Sequence, residues 1–238
     1  GLFPKLIATK QEEFIVLSLK RTLFFSVPLL LLVLVFSKPG LWILNPVYAD
    51  GVSVVIVWAF AHFVWIFLNI FSSALTGLDT VDEKINPTFK DFLKSKLFFV
   101  PTIDHILRVI YLVILVSFFA VSIFQELSVI DTIFLWGISL LIANTSIMII
   151  YWKKLTAQIS VKFPTFITLK YLLVGIASSV PTFLLMNEFL EYHESIFDFF
   201  PNLIPFFVLQ VGIYLIITML SDTETKNFVL SILKEIRK

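Results

Sequence analysis

Residues 109–121 read VIYLVILVSFFAV. The run carries no charge and no proline, and polar and apolar residues do not alternate along it. A barrel strand crossing a membrane is shorter and alternates, so this stretch predicts a helix. Extended to Leu97–Phe124, it passes the roughly 20 residues that a helix needs to cross a hydrocarbon core about 30 Å thick. Five further stretches meet or approach that length: about Thr22–Ser37, Gly51–Leu75, Thr132–Trp152, Thr165–Asn187 and Asn202–Leu220. The first, built on PLLLLVLVF (28–36), is short, but it continues a helical pattern begun near Gln11. It is therefore expected to enter the membrane at a slant. The sequence predicts an all-α membrane protein with six transmembrane helices.

Composition excludes the competing classes. Of 238 residues, 58% are hydrophobic, 16% aromatic and 15% charged, with a mean hydropathy of +0.96. Soluble domains usually carry about a quarter charged residues. Disorder fails on the same ground, and a net charge of +1 gives no footing for a nucleic-acid partner. With no cysteine, disulfide scaffolds, thiolate metal sites and thiol nucleophiles are ruled out. His62, His105 and His193 are far apart, so no His-x-x-x-His metal pair exists. No phosphate-binding glycine loop, selectivity filter or Ser-His-Asp set occurs. Neither a metal nor a cofactor is expected, and no enzyme chemistry.

Basic residues set the expected orientation. They fall in four groups: Lys5, Lys10, Lys20, Arg21; Lys84, Lys90, Lys94, Lys96; Lys153, Lys154, Lys162, Lys170; and Lys226, Lys234, Arg237, Lys238. Six spans put all four groups on one side. Lys38 alone lies opposite, and Arg108 lies inside the third span. The positive-inside rule then places both ends of the segment in the cytoplasm of a multi-pass cell-membrane protein. Thr9-Lys10-Gln11-Glu12 and Ser221-Asp222-Thr223-Glu224 read as capping boxes that start flanking helices. In the second, Phe228, Ile232 and Ile236 recur opposite Lys226, Lys234 and Arg237, a pattern suited to anionic lipid headgroups or to a solvated tail.

Polar groups inside spans are expensive and mark candidate sites. The third span holds Asp104, His105 and Arg108 in PTIDHILRV. Asp104 and Arg108 are four apart and can neutralise each other. Arg108 could hold a phosphate from a hydrated cavity, or the pair could be a self-neutralised anchor that snorkels to the interface. In the second span His62, Asn69, Ser73 and Thr76 share one helical stripe. That stripe suits a cavity wall with a titratable imidazole, or ordinary interhelical hydrogen bonding. Pro28, Pro101, Pro181 and Pro205 are expected to kink or loosen their helices. Gly175, Ser178 and Thr182 read as close packing. Glu188, Glu191, Glu194 and Asp198 near His193 read as a solvated loop rather than a carboxylate site.

The order of features is recognisable: LFPKL (2–6), KQEEF (10–14), LKRTLFFSVPLLLL (19–32), ILNPVYADG (43–51) and ALTGLD (74–79). It resembles the C-terminal part of the oligosaccharide flippases, the polysaccharide-biosynthesis membrane proteins of the multidrug/oligosaccharidyl-lipid/polysaccharide exporter superfamily. Leu2-Phe3-Pro4 matches the motif closing the second helix of a lobe. Tyr48 matches the tyrosine opening the helix after next, although Ala49 follows it without the usual spacing. TFKDFLKSKLFF (88–99) is similar to archaeal members.

The resemblance implies the second half of a fourteen-helix transporter, so that Gly1–Pro4 would end a span lying upstream. Residues 1–21 would hold that end and an amphipathic segment. Residues 22–152 would be four helices of the C-terminal lobe, 165–220 an appended helix pair and 221–238 a cytoplasmic amphipathic tail. The implied function is alternating-access translocation of lipid-linked oligosaccharide, carried on a polyprenyl phosphate or diphosphate. Membrane lipids and the N-terminal lobe would be its partners. Arg108, Asp104 and His105 would meet the headgroup, with His62, Asn69 and Ser73 in the cavity wall. The rival readings are a drug/cation antiporter of the same superfamily, a membrane-embedded glycosyltransferase acting through Glu191 and Asp198, and a six-helix structural protein.

Overall fold

A computed structural model describes residues 12–79, 81, 86–193, 195–221 and 223–236. Gly1–Pro4, Lys5, Thr9–Gln11, Lys84, Glu194, Asp222, Arg237 and Lys238 lie outside the described residues. So do the side chains of Glu224, Phe228, Ile232, Lys234 and Ile236. Among the described residues there are eight α-helices and no strand.

The helices are α1 (Glu12–Leu44), α2 (Val52–Gly77), α3 (Phe89–Lys94), α4 (Lys96–Phe124), α5 (Val129–Thr156), α6 (Thr165–Phe189), α7 (Ile196–Ser221) and α8 (Thr223–Ile236). Six of them, α1, α2 and α4–α7, are long and apolar enough to cross a membrane. The chain is a multi-pass membrane protein, as the hydrophobic runs predict. α1 is unbroken for 33 residues, so the first span and the charged Glu12–Arg21 stretch are one helix. Pro28, Pro101, Pro181 and Pro205 do not interrupt their spans; each lies inside a continuous helix. Hydrocarbon offers no water to compete for the remaining backbone bonds, and nearby hydroxyls bind carbonyls. The Thr102 hydroxyl, beside Pro101, donates to Phe98 O at 2.7 Å.

Short polar side chains set the helix starts. Thr88 and Asp91 form a reciprocal capping box on α3. Ser95 caps α4, accepting from Phe98 N at 3.2 Å, and Ser128 caps α5, accepting from Asp131 N at 3.1 Å. The Asp79 carboxylate accepts from the amides of Lys96 and Leu97, where the helix dipole favours an anion. The Lys96 ammonium closes the clasp on Leu78 O at 2.9 Å.

Contacts divide the chain into two units, Gly1–Thr22 with Ser53–Pro164, and Leu23–Val52 with Thr165–Lys238. In the first, Phe71, Leu75, Ile147, Tyr151 and Leu155 are almost fully buried. Asn144 Nδ2 donates to Ala61 O at 3.1 Å, tying α5 to α2. Tyr151 OH donates to Val100 O at 2.8 Å, tying α5 to α4. A hydroxyl pair, Ser122 and Thr132, joins the other end of α4 to α5. α4 buries only Val100 and Ser122. In the second unit, Val35, Met186, Leu190, Phe199 and Leu203 form an apolar cluster. Tyr214 OH donates to Phe24 O at 2.9 Å, and Tyr171 shares a 3.0 Å bond with Thr225 of α8. By packing, the greater part of the first span therefore groups with the last two.

Gly137 and Gly175 mark close approaches. A Cβ on Gly137 would stand 2.4 Å from Val57 Cγ1 and 2.8 Å from the Trp58 ring; one on Gly175 would stand 2.3 Å from Leu31 Cδ1. An indole held among neighbours yields less than a leucine methyl. Gly137→Ala is therefore expected to destabilise the protein by about 1–3 kcal/mol, read as a lower melting temperature in detergent micelles. Gly212, with nothing within 4 Å, is the control. Gly212→Ala should be neutral or stabilising by up to about 1 kcal/mol.

Candidate functional site

α4 carries an ion pair within its span. Arg108 Nε donates to Asp104 Oδ2 at 2.6 Å, one helical turn away. The arginine side chain is 49% exposed and the aspartate 23%, so the pair lies on the surface of its unit with the carboxylate the more covered partner. A guanidinium carries five N–H groups. Asp104 takes the one on Nε, which leaves the terminal fork of Nη1 and Nη2 for an anion. His105 projects from the same region, with Nδ1 2.6 Å from Pro101 O. A carbonyl only accepts, so Nδ1 carries the proton and Nε2 is the open acceptor of the neutral ring. The three residues picked from the sequence thus stand within one turn of α4, with Asp104 and Arg108 in contact.

The second set stands on α2, and its bonds are local. His62 Nδ1 lies 2.9 Å from Trp58 O, and Asn69 Nδ2 donates to Trp65 O at 2.9 Å. Thr76 Oγ1 donates to Ser72 O at 3.0 Å. Ser73 is half-buried below them. These side chains satisfy one group each on their own helix while His62 and Asn69 stay exposed. The described bonds of His62 and Asn69 lie within α2 rather than between helices. The tautomer argument applies again, so the exposed Nε2 of neutral His62 is an acceptor.

Aromatic contacts connect the two sets. Trp136 Nε1 donates to Tyr111 OH at 2.6 Å, and Tyr111 lies one turn along α4 from Arg108. The Trp136 and Trp58 rings meet edge to face, 5.1 Å apart, and Trp58 lies nearly parallel to His62 at 5.9 Å. Sequence reasoning missed these tryptophans. Their signal was spacing, since Trp58, His62, Trp65 and Asn69 recur every three or four residues.

It also missed the buried polar seam of the second unit. Gln210, only 2% exposed, donates from Nε2 to Ser179 Oγ at 2.7 Å. Its Oε1 and Ser26 Oγ are buried without a hydrogen-bond partner. The Gly175–Ser178–Thr182 run packs as expected, with Ser178 and Thr182 bonded back along α6. In the 188–198 segment, Glu191 and His193 approach to 3.7 Å with the carboxylate exposed. Among the described residues no three His, Asp or Glu side chains gather as metal ligands would. Tyr192 meets Trp42 edge to face and stacks on Phe199, and burial pushes its phenol above the usual tyrosine range.

Gln210 supplies a direct test of the seam. Ser179→Ala leaves the buried amide without its acceptor and should cost about 1–3 kcal/mol. Adding Gln210→Leu removes the stranded group, so the double variant should melt above the single one.

No family model, curated protein or solved structure matches this chain.

Proposed function

We propose that the protein is a flippase that moves lipid-linked oligosaccharide across the cell membrane, with both ends of this segment in the cytoplasm. The observation that carries the reading is the half-exposed Asp104–Arg108 pair on a membrane-crossing helix. A charged pair left on an apolar helix is costly against lipid. It is compatible with a hydrated cavity through which a polyprenyl-bound phosphate passes. Asp104 offsets the guanidinium when no cargo is bound, and the Nη fork takes the phosphate bidentately when it arrives. His105, on the same turn of α4, adds a polar contact beside the fork. His62, Asn69 and Ser73 supply uncharged wall contacts.

The motif order quoted from the sequence supports placing this segment as the second half of a fourteen-helix transporter. In that arrangement residues 22–152 belong to the C-terminal lobe and 165–220 to an appended pair. An N-terminal lobe would face the Arg108 surface. Lobes that rock about the cargo would then change which side is open, with no bond made or broken.

The test is translocation of a fluorescent polyprenyl diphosphate-linked oligosaccharide in proteoliposomes containing the protein. Arg108→Gln should slow it about tenfold or more, and Arg108→Lys should retain part of the rate. An Arg108→Gln variant as fast as the parent would reject the phosphate role. Flipping of drug cations in place of the glycolipid would move the assignment to an antiporter.

A further inference from the structure

Trp58, His62, Trp65 and Asn69 occupy one stripe of α2, flanked on one side by the buried residues Ala61 and Leu68. His62, Trp65 and Asn69 are exposed, and Trp58 is half-buried under Trp136. The imidazole lies between two indoles, nearly parallel to Trp58 at 5.9 Å and edge-on to Trp65 at 6.5 Å. His62 lies about 15 Å along the axis from Val52, well inside a membrane-crossing helix. Tryptophans of an interfacial belt sit at headgroup level; this stripe continues inward past it.

The chemistry of the stripe is specific. It carries no formal cation, so it is not built for phosphate. Hydrocarbon is a poor neighbour for an open imidazole nitrogen and for the carboxamide oxygen of Asn69. What remains is an alternation of flat apolar faces with uncharged donors and acceptors. A pyranose ring presents the complement, with a face of C–H groups and a rim of hydroxyls. From Trp58 to Asn69 the stripe extends about 16 Å, longer than one sugar ring.

We propose that this stripe binds the sugar rings of the cargo. The indole faces of Trp58 and Trp65 stack on C–H faces, while His62 Nε2 and the Asn69 amide hold hydroxyls. The inference rests on the flippase reading and deepens it: Arg108 takes the phosphate and α2 reads the glycan. Through Trp58, Trp136 and Tyr111, the two surfaces are parts of one connected wall.

Saturation-transfer NMR on the protein in nanodiscs, with maltotetraose, chitotetraose and mannotetraose as soluble probes, tests the assignment directly. Ring C–H protons of at least one probe should receive saturation. Trp65→Leu keeps the surface apolar but removes the π face, and should weaken binding about fivefold to tenfold, whereas Trp65→Tyr should stay within about twofold. Trp58→Leu should act in the same direction; if it fails to fold, Trp65→Leu decides. No transfer to any probe, or unchanged binding in the leucine variant, overturns the proposal. The vesicle assay separates this from the reading beneath it. Trp65→Leu should slow a glycan-bearing polyprenyl diphosphate and spare the bare one, and Arg108→Gln should slow both. Equal slowing of both cargoes by Trp65→Leu overturns the sugar role. If the parent moves neither cargo, the flippase reading fails, and the NMR result alone decides what α2 binds.

Discussion

Hydrocarbon supplies no hydrogen bonds, so each polar group carried into it must find its partner within the chain. That constraint accounts for most of what the side chains do here. Hydroxyls and amides on the spans bond back to carbonyls three or four residues earlier, as Thr102, Ser117, Ser139 and Ser146 do. Others cross to a neighbouring helix, among them Asn144 to Ala61, Tyr151 to Val100 and Tyr214 to Phe24. Each of these three ends on a backbone carbonyl. A carbonyl has a second lone pair to offer, so the helix that accepts the bond keeps its own ladder intact. Such bonds contribute modestly apiece, commonly near 1 kcal/mol or less. Their larger effect is to set which residues face each other between helices whose surfaces are otherwise interchangeable leucine, valine and phenylalanine.

The fold was legible wherever length and hydrophobicity alone decide. Five of the six spans were bounded to within about six residues, because a membrane helix is defined by the transfer of its own side chains out of water. The first starts where its helical pattern was expected, near Gln11, but runs on to Leu44 rather than Ser37. Lys20 and Arg21 end the apolar run, but a helix continues through charged residues that reach water. The prolines do not end their helices: Pro28 and Pro181 each lie inside a continuous one. Grouping of the spans was not legible. Leu23–Val52 belongs with Thr165–Lys238 through contacts between residues as distant as Phe24 and Tyr214, and no periodicity in one chain reports a pairing of that kind.

The candidate site was legible in its charges and not in its aromatics. Asp104 and Arg108 stand out because charges are costly within a span and a four-residue spacing lets opposite ones neutralise each other. Tryptophan in a membrane helix raises no such alarm. Only the geometry separates Trp58 and Trp65, ranged beside His62, from Trp152, enclosed between Phe71 and Phe163. Asp79 was equally silent in the sequence, although it fastens the start of the helix that carries Arg108.

That helix is bonded by the Asp79 clasp and the Tyr151 bond at one end, by Trp136 at Tyr111 in the middle and by the Ser122–Thr132 pair at the other end, yet it buries only Val100 and Ser122. Placement and surface character are thus uncoupled along α4. Substitutions at exposed positions around Arg108 disturb little packing, and changes of that sort usually shift stability by no more than about 0.5 kcal/mol. Descendants of this sequence can therefore retune what the middle of α4 presents without rebuilding the scaffold beneath it, an evolutionary latitude that a fully packed helix would deny them.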